Sequence, residues 1–563
     1  MFSQQFNENI RYVSPIAIVL LACITTWAAD RTTFFLPLAS DATTQTIPGT
    51  PQFPDAAMGP AASDGWRTYI RLWRAHHADP ADKSIRKYLG LPLQGTVQAS
   101  SKRGRLAPRW LKWSPGKYQQ IDTPHFTIHS QADEVASRAF AEDLERCYWV
   151  WTQMFFPFWE ASAQVSTTLA KLGDQDVAEF LAANSSRITI RRKLRVVLFR
   201  DAAQYKETLG PLIPGIEKST GFYNDDQKTI FLYSSEEDAK ETRRHELVHQ
   251  LFREATRSGL GNRKPAEKSE FWIIEGIAGY FESLHVGKTL ATVGGWNSSR
   301  LQFARYRVLS RGDEMPIDEL RADGRLAAQK RQDIARWYAH AIAQTHHFLD
   351  SGDVKQRIGL YQLLGREYKI KTGITGGKIA PDVQRRLKGF LVTKDATINE
   401  NPIDYPVADL CLARCEITPS ALSKVAPSPT IRWLDLTGIP VGNEDVERLL
   451  PSPDLLEQLT LESTKIDAGL STWLSKAKRL QELDLSWMPM GDSSIQSVSG
   501  ASDLQVLWMT GTKVSDDSID TIIAMRNLES VDLQRTGVTD AGIKKLKAAR
   551  PDLSVNPIEL RTQ

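Results

Sequence analysis

Six times in its last third, the chain repeats the pattern LxxLxL. The repeats begin at Val407, Ile431, Leu456, Leu480, Leu504 and Leu528, at steps of 24 or 25 residues, with a degenerate start at Leu553. Each unit supplies a short strand with inward apolar residues, then a turn and a helix, as in Val538-Thr539-Asp540-Ala541-Gly542-Ile543. One such unit cannot bury its apolar face alone, whereas stacked units share a continuous core. Residues 403–563 are therefore expected to form a one-dimensional array.

Two further columns follow from the register. The position three residues past the strand reads Cys415, Ile439, Thr464, Met488, Thr512 and Thr536, where a buried small or polar side chain is expected. The strand residue between the inward leucines reads Cys411, Asp435, Thr460, Asp484, Trp508 and Asp532. This column is expected to line a mildly acidic concave face that docks a protein or peptide with basic groups. The pattern resembles the leucine-rich repeat, which implies an α/β solenoid. Cys411 and Cys415 then read as solenoid residues rather than metal ligands.

Ahead of the array the pattern is different. HFTIHS (125–130) alternates like a strand, and Ala132 to Phe156 is amphipathic with helical period. KLRVVLFRD (193–201) reads as a central strand, and GFYNDDQKTIFLYSS (221–235) as a hairpin turning at Asp225-Asp226. Helices are expected over Glu241 to Thr256, Glu270 to His285 and Arg331 to Asp350. Strands first and helices after give an α+β domain over 119–395. A helical stretch, Trp66 to Leu89, and a basic run, Lys102 to Lys117, make up a segment over 65–118; the basic run reads as solvated surface.

Composition narrows the function classes. Hydrophobic residues are 41% and charged residues 24%, which excludes a disordered or polytopic membrane chain. A formal net charge of +3 gives no electrostatic case for nucleic acid. Four cysteines, at 23, 147, 411 and 415, form neither a disulfide framework nor a CxxC pair. At the N-terminus, Arg11 precedes an apolar stretch, Ile16 to Ala22, that is too short for a membrane span and fits an export signal over 1–29. Thr26-Trp27-Ala28 offers a cleavage site, and Leu20-Leu21-Ala22-Cys23 offers a lipobox that would make Cys23 a lipid anchor; an uncleaved anchor is the third route. Any membrane attachment is expected through this segment alone. Residues 30–64, rich in Pro, Thr, Ala and Gly, read as a flexible linker.

The chemistry centres on His245-Glu246-Leu247-Val248-His249, an HExxH string in a segment with a helical apolar stripe. Residues i and i+4 share one helix face, so both imidazoles can reach one ion at about 2.0–2.1 Å. Glu246 is offset around the helix and can face a water instead. FWIIEGIAGYFES (271–283) supplies Glu275 as a candidate third ligand, 26 residues after His249. Surface histidines on ordinary helices also show this spacing; the second string is what makes the pair specific. The remaining histidines carry less. His125 and His129 lie about 13 Å apart on a strand, too far to share an ion. His346-His347 reads as a half-buried helix edge, and His76-His77 has no identified partner.

HExxH followed by Trp272, Glu275, Gly276, Ala278, Tyr280 and Glu282 resembles the gluzincin zinc metallopeptidases. Within that group, the strand-rich stretch before the motif looks like exported bacterial peptidase MA-like proteins. The resemblance covers roughly residues 120–390, plus the separate repeat domain. It implies one zinc ion per chain held by His245, His249 and Glu275, with Glu246 as general base and a peptide or protein as substrate. Tyr338, 63 residues beyond Glu275, corresponds to the oxyanion tyrosine of aminopeptidase N-like relatives, with His340 as a rival. Glu282 is the candidate acceptor that orients a ligand histidine; the position where thermolysin-like enzymes place an aspartate is Gly279. The glutamate that holds a substrate amine in aminopeptidases has no counterpart, and only Asp225 or Asp226 could replace it. Endopeptidase action is thus at least as well supported. Residues 229–234 are the expected edge strand beside the cleft. The competing reading is an inactive cell-envelope scaffold acting through its repeats.

Overall fold

The computed structural model describes residues 32–43, 51–105, 107–163, 168–169, 171–173, 175–184, 188, 193–213, 215–234, 240–400 and 402–556. The export signal over 1–29, with Cys23, lies outside the described residues. Among those described, no helix is long and apolar enough to cross a membrane. Among the described residues the architecture is mixed α+β with three separate sheets.

The first sheet is small: β1 (Thr32–Phe35) pairs antiparallel with β9 (Leu290–Val293), which pairs with β8 (His285–Val286). This corrects the expected linker over 30–64. Phe34 and Phe35 are fully buried, and Phe35 stacks on Phe53 at 4.6 Å. Gln153 brackets the Phe35 backbone, accepting from its N–H at 3.0 Å and donating to its carbonyl at 2.8 Å. Proline-rich composition averaged over the whole stretch concealed a short apolar run, Phe34 to Leu38, that the core takes up.

The helical stretch that follows is two helices, Asp64–Ala78 and Lys83–Leu89, the second capped by Asp82. They belong to the same core as the rest of the domain: Trp66 Nε1 donates to the Gln153 carbonyl at 2.8 Å, and Tyr69 bonds Thr152 at 3.0 Å. Trp66, Trp73, Trp151, Trp159, Trp272 and Trp337 are all fully buried. Each such ring removes about 150–250 Å² from water, so aromatic packing dominates this core.

The second sheet has six strands: β2 (Ser100–Arg103), β3 (Gln119–Asp122), β4 (Phe126–Ser130), β5 (Leu194–Phe199), β6 (Gly221–Asn224) and β7 (Thr229–Tyr233). Their order is β2-β3-β4-β5-β7-β6, with β4, β5 and β7 parallel and the others antiparallel. β5 is interior, paired on both sides, and its apolar run Val196–Phe199 is buried. The 221–234 hairpin forms with the expected turn, but the edge is β6. The expected edge strand 229–234 is corrected: β7 is flanked on both sides, because its run TIFLY is buried on both faces.

The third sheet is the solenoid, seven parallel strands stacked in chain order: β10 (Asp409–Cys411), β11 (Trp433–Asp435), β12 (Gln458–Thr460), β13 (Glu482–Asp484), β14 (Val506–Trp508), β15 (Ser530–Asp532) and β16 (Ser554–Val555). The inward positions of the repeat are essentially fully buried. Each unit turns through a left-handed residue three positions after its strand, at Arg414, Gly438, Ser463, Trp487, Gly511 and Arg535, with φ between 52° and 73°. Only two of these are glycine, so the turn is held by the stack. In the column after the strand, Thr464, Thr512 and Thr536 each donate to the carbonyl three residues back, at 2.7–2.9 Å.

The column between the inward leucines is not openly exposed: Cys411, Asp435, Asp484, Trp508 and Asp532 are buried, and Thr460 is half-buried. Two causes act. The aspartates turn onto their own backbone: Asp435, Asp484 and Asp532 each accept from the amide two residues on, at 2.9 Å. The first domain also fills the array. A bridging helix, Ser299–Arg305, continues into a π-helical turn, Tyr306–Ser310, and packs on the first strands. Gln302 accepts from Cys411 N at 3.0 Å, Tyr306 meets Trp433 edge to face at 5.7 Å, and Arg311 lies 5.9 Å over Trp508. One hydrophobic core runs from Trp296, Leu301 and Ala304 through Leu387 and Leu391 into every repeat.

Candidate metal centre

The motif helix, Lys240–Glu254, buries Leu247, Val248, Leu251 and Phe252 and turns the opposite arc toward a cleft. On that arc His245 and His249 stand one turn apart, ring centroids 4.9 Å from each other. The glutamate helix, Phe271–Glu282, packs along it and is itself backed by the tyrosine helix, Ile334–Asp350. Two glycines set that second approach. A Cβ on Gly276 would meet the Ala341 carbonyl at 2.9 Å, and one on Gly279 would collide with Ile342. Position 279 therefore has no room for an aspartate.

Three ligand-type side chains converge where the helices face each other. His245 Nε2 lies 3.3 Å from Glu275 Oε2, and His249 Nε2 lies 3.7 Å from Glu275 Oε1. Their ligand atoms all fall within 4.8 Å of one another, a grouping that can hold a metal ion. Glu282, two turns beyond Glu275, takes His245 Nδ1–H on Oε1 at 2.8 Å. That contact fixes the His245 ring and directs its Nε2 toward Glu275.

Burial and the neighbouring groups together set the charges. Burial would lower His245, but hydrogen bonds and charge from Glu275 and Glu282 outweigh it and raise this imidazole. His249, with less help, is lowered to about 4 by burial. Glu275 is held below the usual carboxylate range: burial opposes this, and the two histidines prevail. Burial pushes the Glu246 carboxyl up to about 7, against the pull of His245. Glu246 does not join the ligand group. Its Oε2 accepts from Tyr223 N at 2.6 Å, so the edge strand β6 orients it.

Tyr338 lies in the cleft, with Arg300 stacked on its ring at 4.7 Å, and burial together with Glu275 raises its hydroxyl pKa well above the ordinary value. His340 does not reach the cleft. Its two ring nitrogens face the carbonyls of Arg336 and Asp313 at 2.9 and 3.1 Å, which removes it as the rival to Tyr338. His346 and His347 are fully buried, not at a helix edge; His346 bonds Asp350, which also accepts from Tyr280 at 2.6 Å and ties the glutamate and tyrosine helices together. His125 pairs with Glu145 at 2.7 Å, and His76 Nε2 accepts from Leu38 N at 3.1 Å. Cys147 is buried away from the cluster, and burial pushes its thiol up. Asp225 lines the cleft but is bound to Arg253 at 2.6 Å; Asp226 is exposed outside it.

The cavity over these groups has a volume of about 500 Å³. Its lining also includes residues that no sequence pattern marks, among them Tyr223, which acts through its backbone, and Arg253, Arg300 and Arg325. Arg300 Nε lies 3.3 Å from Glu282 Oε2. No motif marks these arginines, since only the tertiary fold brings them to the site.

Residues 240–367, which include both strings, match a family model described as a protein of unknown function (DUF1570). No curated protein matches the chain. Among solved structures, a leucine-rich repeat protein of Leptospira interrogans is similar at 16% identity over 32% of this chain, with a TM-score of 0.22; the match spans about half of that protein, 51% of its length.

Proposed function

We propose that this chain is an exported zinc-dependent peptidase of the gluzincin type, acting on a peptide or protein substrate. The observation that carries the reading is the convergence of His245, His249 and Glu275 within 4.8 Å, beside a buried carboxylate that stays out of the group. The donor set fits zinc: two imidazole nitrogens and one carboxylate, with a position left for water, is the catalytic pattern rather than the closed structural one. When bound, the ion supplies Lewis acidity toward a water and toward the scissile carbonyl.

The protein's own groups do the rest. Glu246 takes a proton from the attacking water and passes it to the leaving amine. Its place beside the ligand group, outside it, suits that exchange. The Tyr223 N–H engages one oxygen of Glu246 and leaves the other for the proton. Tyr338 keeps its proton, because its hydroxyl titrates far above neutrality, and donates it in a hydrogen bond to the developing oxyanion. Glu282 holds the His245 ring in place. The edge strand β6 borders the cleft, where its Tyr223 amide holds Glu246. Internal cleavage is favoured over removal of N-terminal residues, since Asp225, the candidate amine holder, is already bound to Arg253. Export rests on the signal-like segment 1–29.

The test is cleavage of a peptide library by the zinc-loaded protein, with Glu246→Gln alongside. Cleavage that a chelator abolishes and zinc restores is expected, and loss in Glu246→Gln with metal content unchanged. A fully zinc-loaded wild-type protein that cuts no peptide would overturn the reading.

A further inference from the structure

The charges around the cleft do not balance evenly. Its acidic side chains are Asp225, Glu246, Glu275 and Glu282, and its basic ones are Arg253, Arg300 and Arg325. Every carboxylate is committed. Glu275 faces both histidines, Glu282 takes His245 and Arg300, Glu246 takes the Tyr223 amide, and Asp225 takes Arg253 at 2.6 Å. Arg253 and Arg300 thereby have close partners. Arg325 does not: its nearest carboxylate among the described residues is Asp225 Oδ2 at 3.9 Å, an oxygen of a group already held by Arg253.

The Arg325 guanidinium is positioned nonetheless. It lies 5.6 Å over the Phe271 ring, at the start of the glutamate helix, and its side chain is 29% exposed toward the cavity it lines. It lines the same cavity as Glu246, His249 and Glu275, which places it beside the candidate reacting centre. A planar cation in a cavity, with no closely bound carboxylate, is suited to a carboxylate, which it can grip through two parallel hydrogen bonds. An ammonium group placed there would be repelled.

We propose that Arg325 is a specificity-determining residue that binds a carboxylate of the substrate, so the cleft selects peptides carrying an acidic side chain or a free C-terminus close to the scissile bond. The inference rests on the peptidase reading and names the substrate class for the same site. Both sources of carboxylate satisfy the same chemistry, and the experiment separates them.

The test uses the full chain as Glu246→Gln, loaded with zinc, which should bind peptides without cutting them. Matched nonapeptides carry Glu, Gln or Lys at the central positions, each with a free or an amidated C-terminus, and binding is measured by calorimetry. Peptides with the favoured carboxylate should bind at least about tenfold tighter than their neutral counterparts, as a charge-assisted pair predicts. If the amidated Glu peptide keeps the advantage, the acidic side chain is the ligand; if amidation abolishes it, the C-terminus is. Adding Arg325→Ala should remove the preference, Arg325→Lys should keep part of it, and Arg325→Glu should favour the Lys peptides. Zinc content and melting temperature establish that each variant is folded, and the Lys variant carries the comparison if the Ala variant is not. Equal binding of Glu, Gln and both termini, or a preference that survives Arg325→Ala, overturns the proposal and leaves the peptidase reading standing. Failure of every peptide to bind the zinc-loaded protein overturns both.

Discussion

His245 Nδ1 and Glu282 Oε1 lie 2.8 Å apart, and Glu282 Oε2 is in turn 3.3 Å from Arg300 Nε. The carboxylate is thus shared between a candidate ligand and an arginine on the bridging helix. A partner of this kind fixes the ligand ring without touching the ion. Removing it commonly weakens metal affinity by about 10- to 100-fold. Glu282→Ala is expected to lose zinc to a competing chelator within that range, while His245, His249 and Glu275 remain in place. Zinc affinity equal to wild type would show that the 2.8 Å bond has no bearing on the site.

Tyr338 is expected to act on turnover rather than on binding. Loss of one oxyanion donor costs roughly 10²–10³ in kcat. Tyr338→Phe should therefore lower kcat by about that factor, with zinc content unchanged and KM little affected. A fall confined to KM would assign the hydroxyl to substrate binding instead.

The repeats are expected to be inseparable from the rest of the chain. The bridging helix carries Arg300 toward the candidate metal centre and Gln302 toward Cys411, two residues apart on one short element. Gln302→Leu would leave the buried Cys411 amide without an acceptor, at a cost of about 1–3 kcal/mol. A lowered melting temperature is expected, together with altered kinetics at a site far from the repeats. A chain ending at residue 400 would expose Trp296, Leu301, Leu387 and Leu391 and is expected to aggregate. A soluble, fully active truncation would refute this coupling.

Asp484 gives the stability a pH dependence. Burial pushes its carboxyl from 3.8 up to about 7, the Ser486 bonds opposing. Between these values the folded protein holds a proton that the unfolded chain has released. Stability from this group is therefore fully present below the lower value and is lost as pH rises toward 7. Asp484→Asn keeps an oxygen for Ser486 N and carries no charge. Its melting temperature should exceed that of wild type by a few degrees at pH 8, and the difference should vanish near pH 4. A constant difference across that range would contradict the assignment.

Much of this was legible in the sequence, for local reasons. The 24-residue period, the HExxH string and the Glu275 string all use spacings that helices and strands enforce on their own, and the structure brings their residues together. The misreadings came where tertiary context decides. The aspartates at 435, 484 and 532 looked like an acidic surface, but a side chain that can reach the amide two residues on turns inward instead. The segment 30–64 looked like a linker because its proline content masked Phe34 and Phe35. β7 and β6 were exchanged as edge because pairing order is not written in either strand. Arg300 and Arg325 belong to no motif, and their roles exist only once the Ser299–Arg305 helix and the short Arg325–Gln329 helix both meet the Phe271–Glu282 helix at one cleft.

The most direct measurement is the metal content of the purified full-length protein, with His249→Ala prepared in parallel. The account predicts about one zinc per wild-type chain, as three protein ligands with an open position imply, and little in the variant. A wild-type chain that neither carries zinc nor retains it after reconstitution, or a His249→Ala variant that holds zinc equally well, would contradict the central claim.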